Sequence, residues 1–96
     1  MADTQTHSRL RGRIKRELNK MPGVMLTNGD ASDGALDLIL NVDGHYAELD
    51  VKTGDAVLSP AQQARRLQVE RAGGKAYVVK SVPEAQQCIR HLRACR

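Results

Sequence analysis

Trp and Phe are absent from the 96 residues, and Tyr46 and Tyr77 are the whole aromatic content. Proteins that hold single-stranded nucleic acid stack its bases on several aromatic rings. Two tyrosines do not make such a platform, which argues against recognition of the RRM or OB-fold kind. The core must be filled by Leu, Ile, Val, Ala and Met. There are two cysteines, Cys88 and Cys95. They are too few for a disulfide framework, and a zinc site would want more ligands nearby. They are expected as reduced, partly buried thiols on one helix face. No apolar run approaches the ~20 residues of a membrane-spanning helix, and no signal-peptide pattern opens the sequence, which predicts a cytoplasmic protein. Acidic residues are in the minority, 11 against 15 Lys and Arg, for a net charge of +4. That balance suits a polyanionic partner. The length predicts one domain, residues 1–96, with a modest core.

The stretches Leu36 to Leu40 (LDLIL) and His45 to Lys52 (HYAELDVK) read as a β-hairpin. Asp43 and Gly44 join them, a preferred pair for a two-residue type I′ turn. That turn sets the register, from Val42 opposite His45 to Asp37 opposite Asp50. Opposed residues share a face. One face then holds Leu36, Leu38, Leu40, Ala47, Leu49 and Val51, all apolar. The other holds Asp37, Ile39, Glu48, Asp50 and Lys52. Like charges directly opposite destabilise a hairpin, so the Asp37–Asp50 repulsion must be offset. Lys52, diagonal to Asp37, is one candidate and a divalent cation on oxygen ligands is another. The alternative is a surface hairpin whose charged outer face is solvated.

Around the hairpin, apolar spacing at Leu10, Ile14, Leu18 and Met21 predicts a helix from His7 to Lys20, ended by Pro22-Gly23. Met1 to Thr6 is polar and expected to fray. Arg9, Arg13, Arg16 and Lys20 form a second stripe on that helix. Like charges at this spacing cost a helix about 0.2–0.5 kcal/mol per pair, a cost that a phosphate backbone would reverse; a solvated basic face is the alternative. Val24 to Thr27 reads as a strand, and Asn28 to Gly34 as a polar loop leading to Asp37. Ser59, Pro60 and Gln62 make a capping box for a helix to about Ala72, stopped at Gly73-Gly74. Arg65, Arg66 and Arg71 lie on it. Ala76 to Lys80 reads as a strand. Ser81 to Glu84 reads as a second capping box, opening a helix to about Ala94. The order α-β-β-β-α-β-α predicts a small α/β sandwich with a mixed sheet, the apolar hairpin face packed on helices.

Asp37, with Asp50-Val51-Lys52 on the neighbouring strand, resembles the core of the PD-(D/E)XK nuclease superfamily. The wider pattern, ELDVKTG, then LSPAQ, then AGGKAYVVKSV, resembles the virus-type replication-repair nuclease (VRR-NUC) domain, in its stand-alone phage-like form, over roughly Arg9 to Ala85. The same domain is the catalytic end of the Fanconi-associated nuclease. The sequence departs from the family at Gly34-Ala35-Leu36-Asp37, where Leu36 stands for a proline. The resemblance implies a restriction-endonuclease-like fold and a metal-dependent DNA endonuclease, in the host cytoplasm if the chain is phage-encoded. It implies Mg²⁺ or Mn²⁺ on Asp37, Asp50 and the Val51 carbonyl, with Asp50, Asp37, Lys52 and Gln62 in catalysis. Two carboxylates nearby favour the charged form of Lys52. That fits an electrostatic role, with the general-base role left open. Gln62 either bonds back to the helix cap or enters the site, and one residue cannot easily do both. Glu48 either binds metal or pairs with a basic residue at the sheet edge. Family members carry a Glu at the start of the first helix that contributes to the metal site. His7 stands there, and histidine ligates Mn²⁺ but suits Mg²⁺ poorly. Arg9, Arg13, Arg16, Lys20, Arg65 and Arg66 are candidates for DNA phosphates. The stand-alone form implies branched DNA, four-way junctions above all, and therefore a homodimer, since paired cuts need two sites. A flap- or end-directed or partner-dependent nuclease, and a non-catalytic basic DNA-binding module, are the alternatives.

Overall fold

The structure, a computed structural model, describes residues 2–30 and 32–95, with side chains from His7 onward. Its elements are α1 (Ala2–Asn19), β1 (Val24–Asn28), β2 (Leu38–Val42), β3 (His45–Val51), α2 (Pro60–Arg71), β4 (Lys75–Val79) and α3 (Val82–Ala94). The order is the one that the sequence predicts. α1 starts at Ala2, earlier than the expected His7, because the preceding polar residues carry no apolar period to mark a turn. The fraying expected for Met1 to Thr6 falls outside the described backbone at Met1 and outside the described side chains throughout.

The hairpin has the expected register: Val42 opposes His45, Leu40 opposes Ala47 and Leu38 opposes Leu49. Asp43 at φ 52° and Gly44 at φ 88° supply the two positive angles that a type I′ turn needs. The sheet runs β1-β2-β3-β4, antiparallel except for the parallel β3–β4 pair. α2 is the crossover that a parallel pair requires.

The apolar hairpin face meets Ile14 and Leu18 of α1 and Ala85, Ile89 and Leu92 of α3 in one core cluster. A second cluster holds Leu36, Leu58, Val69 and Ala76, with α2 over the opposite face of the sheet. Leu36 was expected beside Leu38 and Leu40, and its membership of the second cluster corrects that. β2 begins only at Leu38, so the two-residue alternation does not reach back to Leu36. The charged hairpin face is not solvated either. Glu48 is 2% exposed and Asp50 1%.

The caps differ in detail. Ser59 and Gln62 form the reciprocal box that starts α2. At α3 the Ser81 hydroxyl accepts from the Glu84 amide at 3.2 Å, but the Glu84 carboxylate accepts from the Lys80 amide at 2.9 Å. The second box is thus made on one side only, because Glu84 reaches one residue past the cap. Cys88 and Cys95 are free and partly buried, and burial pushes the Cys88 thiol up to about 11.

Candidate active site

The end of β3 brings together Asp37, Asp50, Lys52 and Gln62. Asp37 sits at a bend just ahead of β2, beyond the last ladder pair, Leu38 opposite Leu49, so the expected backbone pairing of Asp37 with Asp50 is not made. The Asp37 amide donates to Asp50 Oδ1 at 3.2 Å, and the Val51 amide donates to Asp37 Oδ2 at 2.8 Å. These crossed bonds lock the two acids to each other's strands. Lys52 is held by its own amide, which donates to the Val79 carbonyl at 3.0 Å.

The expected repulsion is offset differently from the sequence reading. Lys52 Nζ lies 2.9 Å from Asp50 Oδ2, so its partner is Asp50 and not the diagonal Asp37. Asp37 has its own partners: the Arg11 guanidinium, with Nε at 3.7 Å, and His7 Nε2 at 3.4 Å. Asp50 therefore carries the cost. Burial raises its carboxyl above the ordinary value, the Asp37 charge adds to that, and Lys52 offsets only part. The Lys52 ammonium is the charged neighbour of the buried Asp50 Oδ2.

Gln62 does both jobs that the sequence set against each other. Its Oε1 accepts from the Ser59 amide at 3.1 Å and from Lys52 Nζ at 3.0 Å. Its Nε2 faces Asp50 Oδ1 and the Ala35 carbonyl, each at 3.4 Å. An amide side chain has an acceptor and two donors, which is what allows this. The Asn28 to Gly34 loop comes close to the same helix start. A Cβ on Gly34, whose φ is +86°, would stand 2.8 Å from the Ala61 carbonyl oxygen.

His7 Nε2 lies 2.9 Å from the Val51 carbonyl oxygen as well as near Asp37. Sequence reasoning missed Arg11. Its signal was the four-residue step His7, Arg11, Lys15, a stripe between the apolar and outer basic ones. Arg11 and Lys15 both donate to Asn28 Oδ1, at 3.0 and 2.9 Å. Arg9, Arg13 and Arg16 are exposed on α1, and Lys20 is exposed just after its end, one residue past Asn19. Lys20 pairs with Glu17 at 3.0 Å.

Glu48 lies on the acids' face but is engaged elsewhere. Arg65 grips it with two bonds, Nε to Oε1 at 2.9 Å and a terminal nitrogen to Oε2 at 2.6 Å, and the Tyr46 hydroxyl donates to Oε2. Burial alone would raise the Glu48 carboxyl, but Arg65 and Tyr46 outweigh it and hold it below the ordinary value. Arg66 pairs with Glu70 at 3.3 Å.

Among the described residues no three His, Cys, Asp or Glu side chains converge as a complete metal cage. Mg²⁺ does not need one: it binds through one or two carboxylates and keeps waters and substrate oxygens. The buried Asp50 carboxylate, tied to Asp37 by the crossed bonds and followed by the Val51 carbonyl at the strand end, is a donor set that fits such an ion. The residues that could hold it are Asp37, Asp50 and Val51 through its carbonyl.

A mixed four-stranded sheet, helices on both faces and an acid pair followed by lysine at one strand end place the fold in the restriction-endonuclease-like class. Within that class the chain shares the VRR-NUC fold. A solved structure titled "VRR_NUC domain" matches it with a TM-score of 0.72 over 90% of this chain and 96% of its own, at 20% sequence identity. No family profile and no curated protein matches the sequence.

Proposed function

We propose that the chain is a metal-dependent endodeoxyribonuclease that hydrolyses phosphodiester bonds in branched DNA, four-way junctions above all. The observation that carries this reading is the acid pair with its lysine: Asp50 Oδ2 lies buried 2.9 Å from an ammonium held by Gln62, with Asp37 bonded across to the same strand end. A Mg²⁺ or Mn²⁺ ion held by Asp37, Asp50 and the Val51 carbonyl would activate water and neutralise charge on the phosphoryl oxygens. Lys52 stabilises the negative charge that grows on the phosphoryl group, a role for a cation fixed in advance. Gln62 keeps the ammonium in place from the start of α2. Labelled four-way, flap and linear duplex DNA, incubated with and without Mn²⁺ or Mg²⁺, tests the reading. Cleavage of the junction only with metal is expected, and no cleavage of any substrate would leave a DNA-binding module.

The exposed arginines of α1 are the proposed phosphate contacts. Arg13→Ala combined with Arg16→Ala is expected to weaken binding to all DNA shapes alike. The slope of log affinity against log salt should flatten by about 0.9 for each lost contact on duplex DNA. An unchanged slope returns that stripe to solvent.

Symmetric cutting needs two copies, and an apolar face is at hand for the pairing. Val57 is 76% exposed, Leu67 52% and Val78 37%. They line one shallow groove of about 570 Å³, with Arg66, Glu70 and Lys80 beside them. Charges of both signs suit a face that meets its own copy. Light scattering at micromolar concentration should give twice the chain mass for the wild type and a single chain mass for Leu67→Glu. A dimer that survives Leu67→Glu moves the interface elsewhere.

A further inference from the structure

We infer that Arg11 and Lys15, meeting at Asn28, form a fixed subsite for one backbone phosphate of the DNA, and that this subsite sets which phosphodiester bond lies over the acid pair. The inference rests on the nuclease reading above and adds to it the position of the strand.

Residues four apart on a helix are neighbours on one face. Arg11 and Lys15 are such a pair, and α1 packs along β1, which ends at Asn28. A terminal nitrogen of Arg11 donates to Asn28 Oδ1 at 3.0 Å, and Lys15 Nζ donates to the same oxygen at 2.9 Å. Two cations are thus drawn onto one neutral oxygen. Among the described residues Lys15 meets no carboxylate, and Asn28 supplies the one hydrogen bond that the Arg11 guanidinium makes. A guanidinium has five N–H donors, so most of its capacity is unused. Its Nε is buried on the Asp37 side, 3.7 Å from Oδ1 and outside hydrogen-bond reach. The terminal nitrogens are the ones an anion would take, since the side chain is 31% exposed and Nε is not. A phosphodiester has two non-bridging oxygens and one negative charge. It can accept from the guanidinium and the ammonium at once, in charge-assisted bonds stronger than those to a neutral amide.

The subsite is fixed against the acids. The Gly29 amide, next to Asn28, donates to the Asp37 carbonyl at 2.9 Å, and Asn28 opposes Leu38, the residue after Asp37. A phosphate held at Asn28 therefore keeps a set distance from Asp37. Contacts to phosphate fix the register of a protein on its strand. Arg9, Arg13 and Arg16 are exposed and carry no such tie among the described residues, so they add affinity without setting register.

A four-way junction that carries an uncharged methylphosphonate at one phosphate at a time reads the subsite. Binding is followed by fluorescence anisotropy at low salt in EDTA. Wild type should lose affinity about tenfold at one phosphate beside the cut position, the worth of one charge-assisted bond. Lys15→Gln, and Arg11→Gln combined with it, should bind the modified and unmodified junctions alike at that position. Arg13→Ala with Arg16→Ala should bind more weakly throughout and keep the sensitive phosphate. In Mn²⁺, Arg11→Gln with Lys15→Gln should spread its cuts over neighbouring bonds where wild type cuts at one. Losses spread evenly over many phosphates in a wild type that still cuts with metal overturn the subsite and leave the nuclease reading standing. A single sensitive phosphate in a protein that cuts nothing overturns the nuclease reading and the register role with it.

Discussion

Asp50→Asn is expected to abolish cleavage by about three orders of magnitude or more, and at the same time to make the metal-free protein melt higher. The carboxylate is 1% exposed and its protonation is favoured by burial, with the Asp37 charge adding to it. A carboxyl raised in the folded state costs stability as pH climbs from the ordinary 3.8 through its raised value, and the full cost is present above that raised value. Asparagine removes the charge and keeps an oxygen to accept from the Asp37 amide. Its advantage should therefore be complete above that raised value and disappear in melts run below about pH 3.8. The same relief is not expected at Asp37, which accepts from the Val51 amide and has Arg11 and His7 beside it.

Metal reverses the ranking. An ion that binds only the folded wild type adds about 2.7 kcal/mol at a hundredfold excess over its dissociation constant. For a domain of this size that is a rise on the order of 10 °C. The variant should show none of it, while its DNA affinity stays equal or rises. Near wild-type cutting by Asp50→Asn with metal present would remove this carboxylate from the metal site.

Arg65→Ala should cost about 3 kcal/mol, the lower part of the range for breaking a buried ion pair, because the arginine itself is partly exposed. What remains is a glutamate 2% exposed whose two-bonded partner is gone. That is a large share of the roughly 5–15 kcal/mol that holds a domain together. Adding Glu48→Gln should return much of the loss, since the stranded charge is then gone. The pH dependence carries the sign. Glu48 is held below its ordinary 4.5, so the pair's contribution is complete above that value and drains as pH falls through the lowered one. Urea melts between pH 7 and pH 3 should show this drain in the wild type and not in Arg65→Ala. A loss under about 0.5 kcal/mol at pH 7 would mean the pair behaves like an exposed one.

The hairpin was legible because its signals are local. A two-residue turn and a period of two fix which residues face each other as far as Leu38 opposite Leu49; Asp37 and Asp50 lie just beyond that pair and are joined through their side chains. The start of α2 was legible for the same reason, through Ser59, Pro60 and Gln62. Contacts from far along the chain were not. Nothing in the spacing of α1 says that Arg11 ends beside Asp37, and His7 was placed there by the family resemblance and not by spacing, because only the packing of α1 on the sheet decides it. Glu48 illustrates the same limit: its face is charged, yet α2 covers it, and Arg65 is what makes that burial tolerable. Gln62 was set between two roles because its oxygen was credited with one bond, whereas Oε1 accepts from both the Ser59 amide and Lys52 Nζ.

The parallel β3–β4 pair has a consequence for how the molecule assembles. A hairpin closed by two residues forms in about 1–10 μs, whereas pairings between distant segments must first meet the entropy of closing a long loop. The bond that fixes the Lys52 backbone, from its amide to the Val79 carbonyl, belongs to the second kind. The β2–β3 ladder that ends beside Asp50 belongs to the first. The expected order of assembly is therefore the hairpin early, with the Lys52 backbone fixed only when the last strand docks.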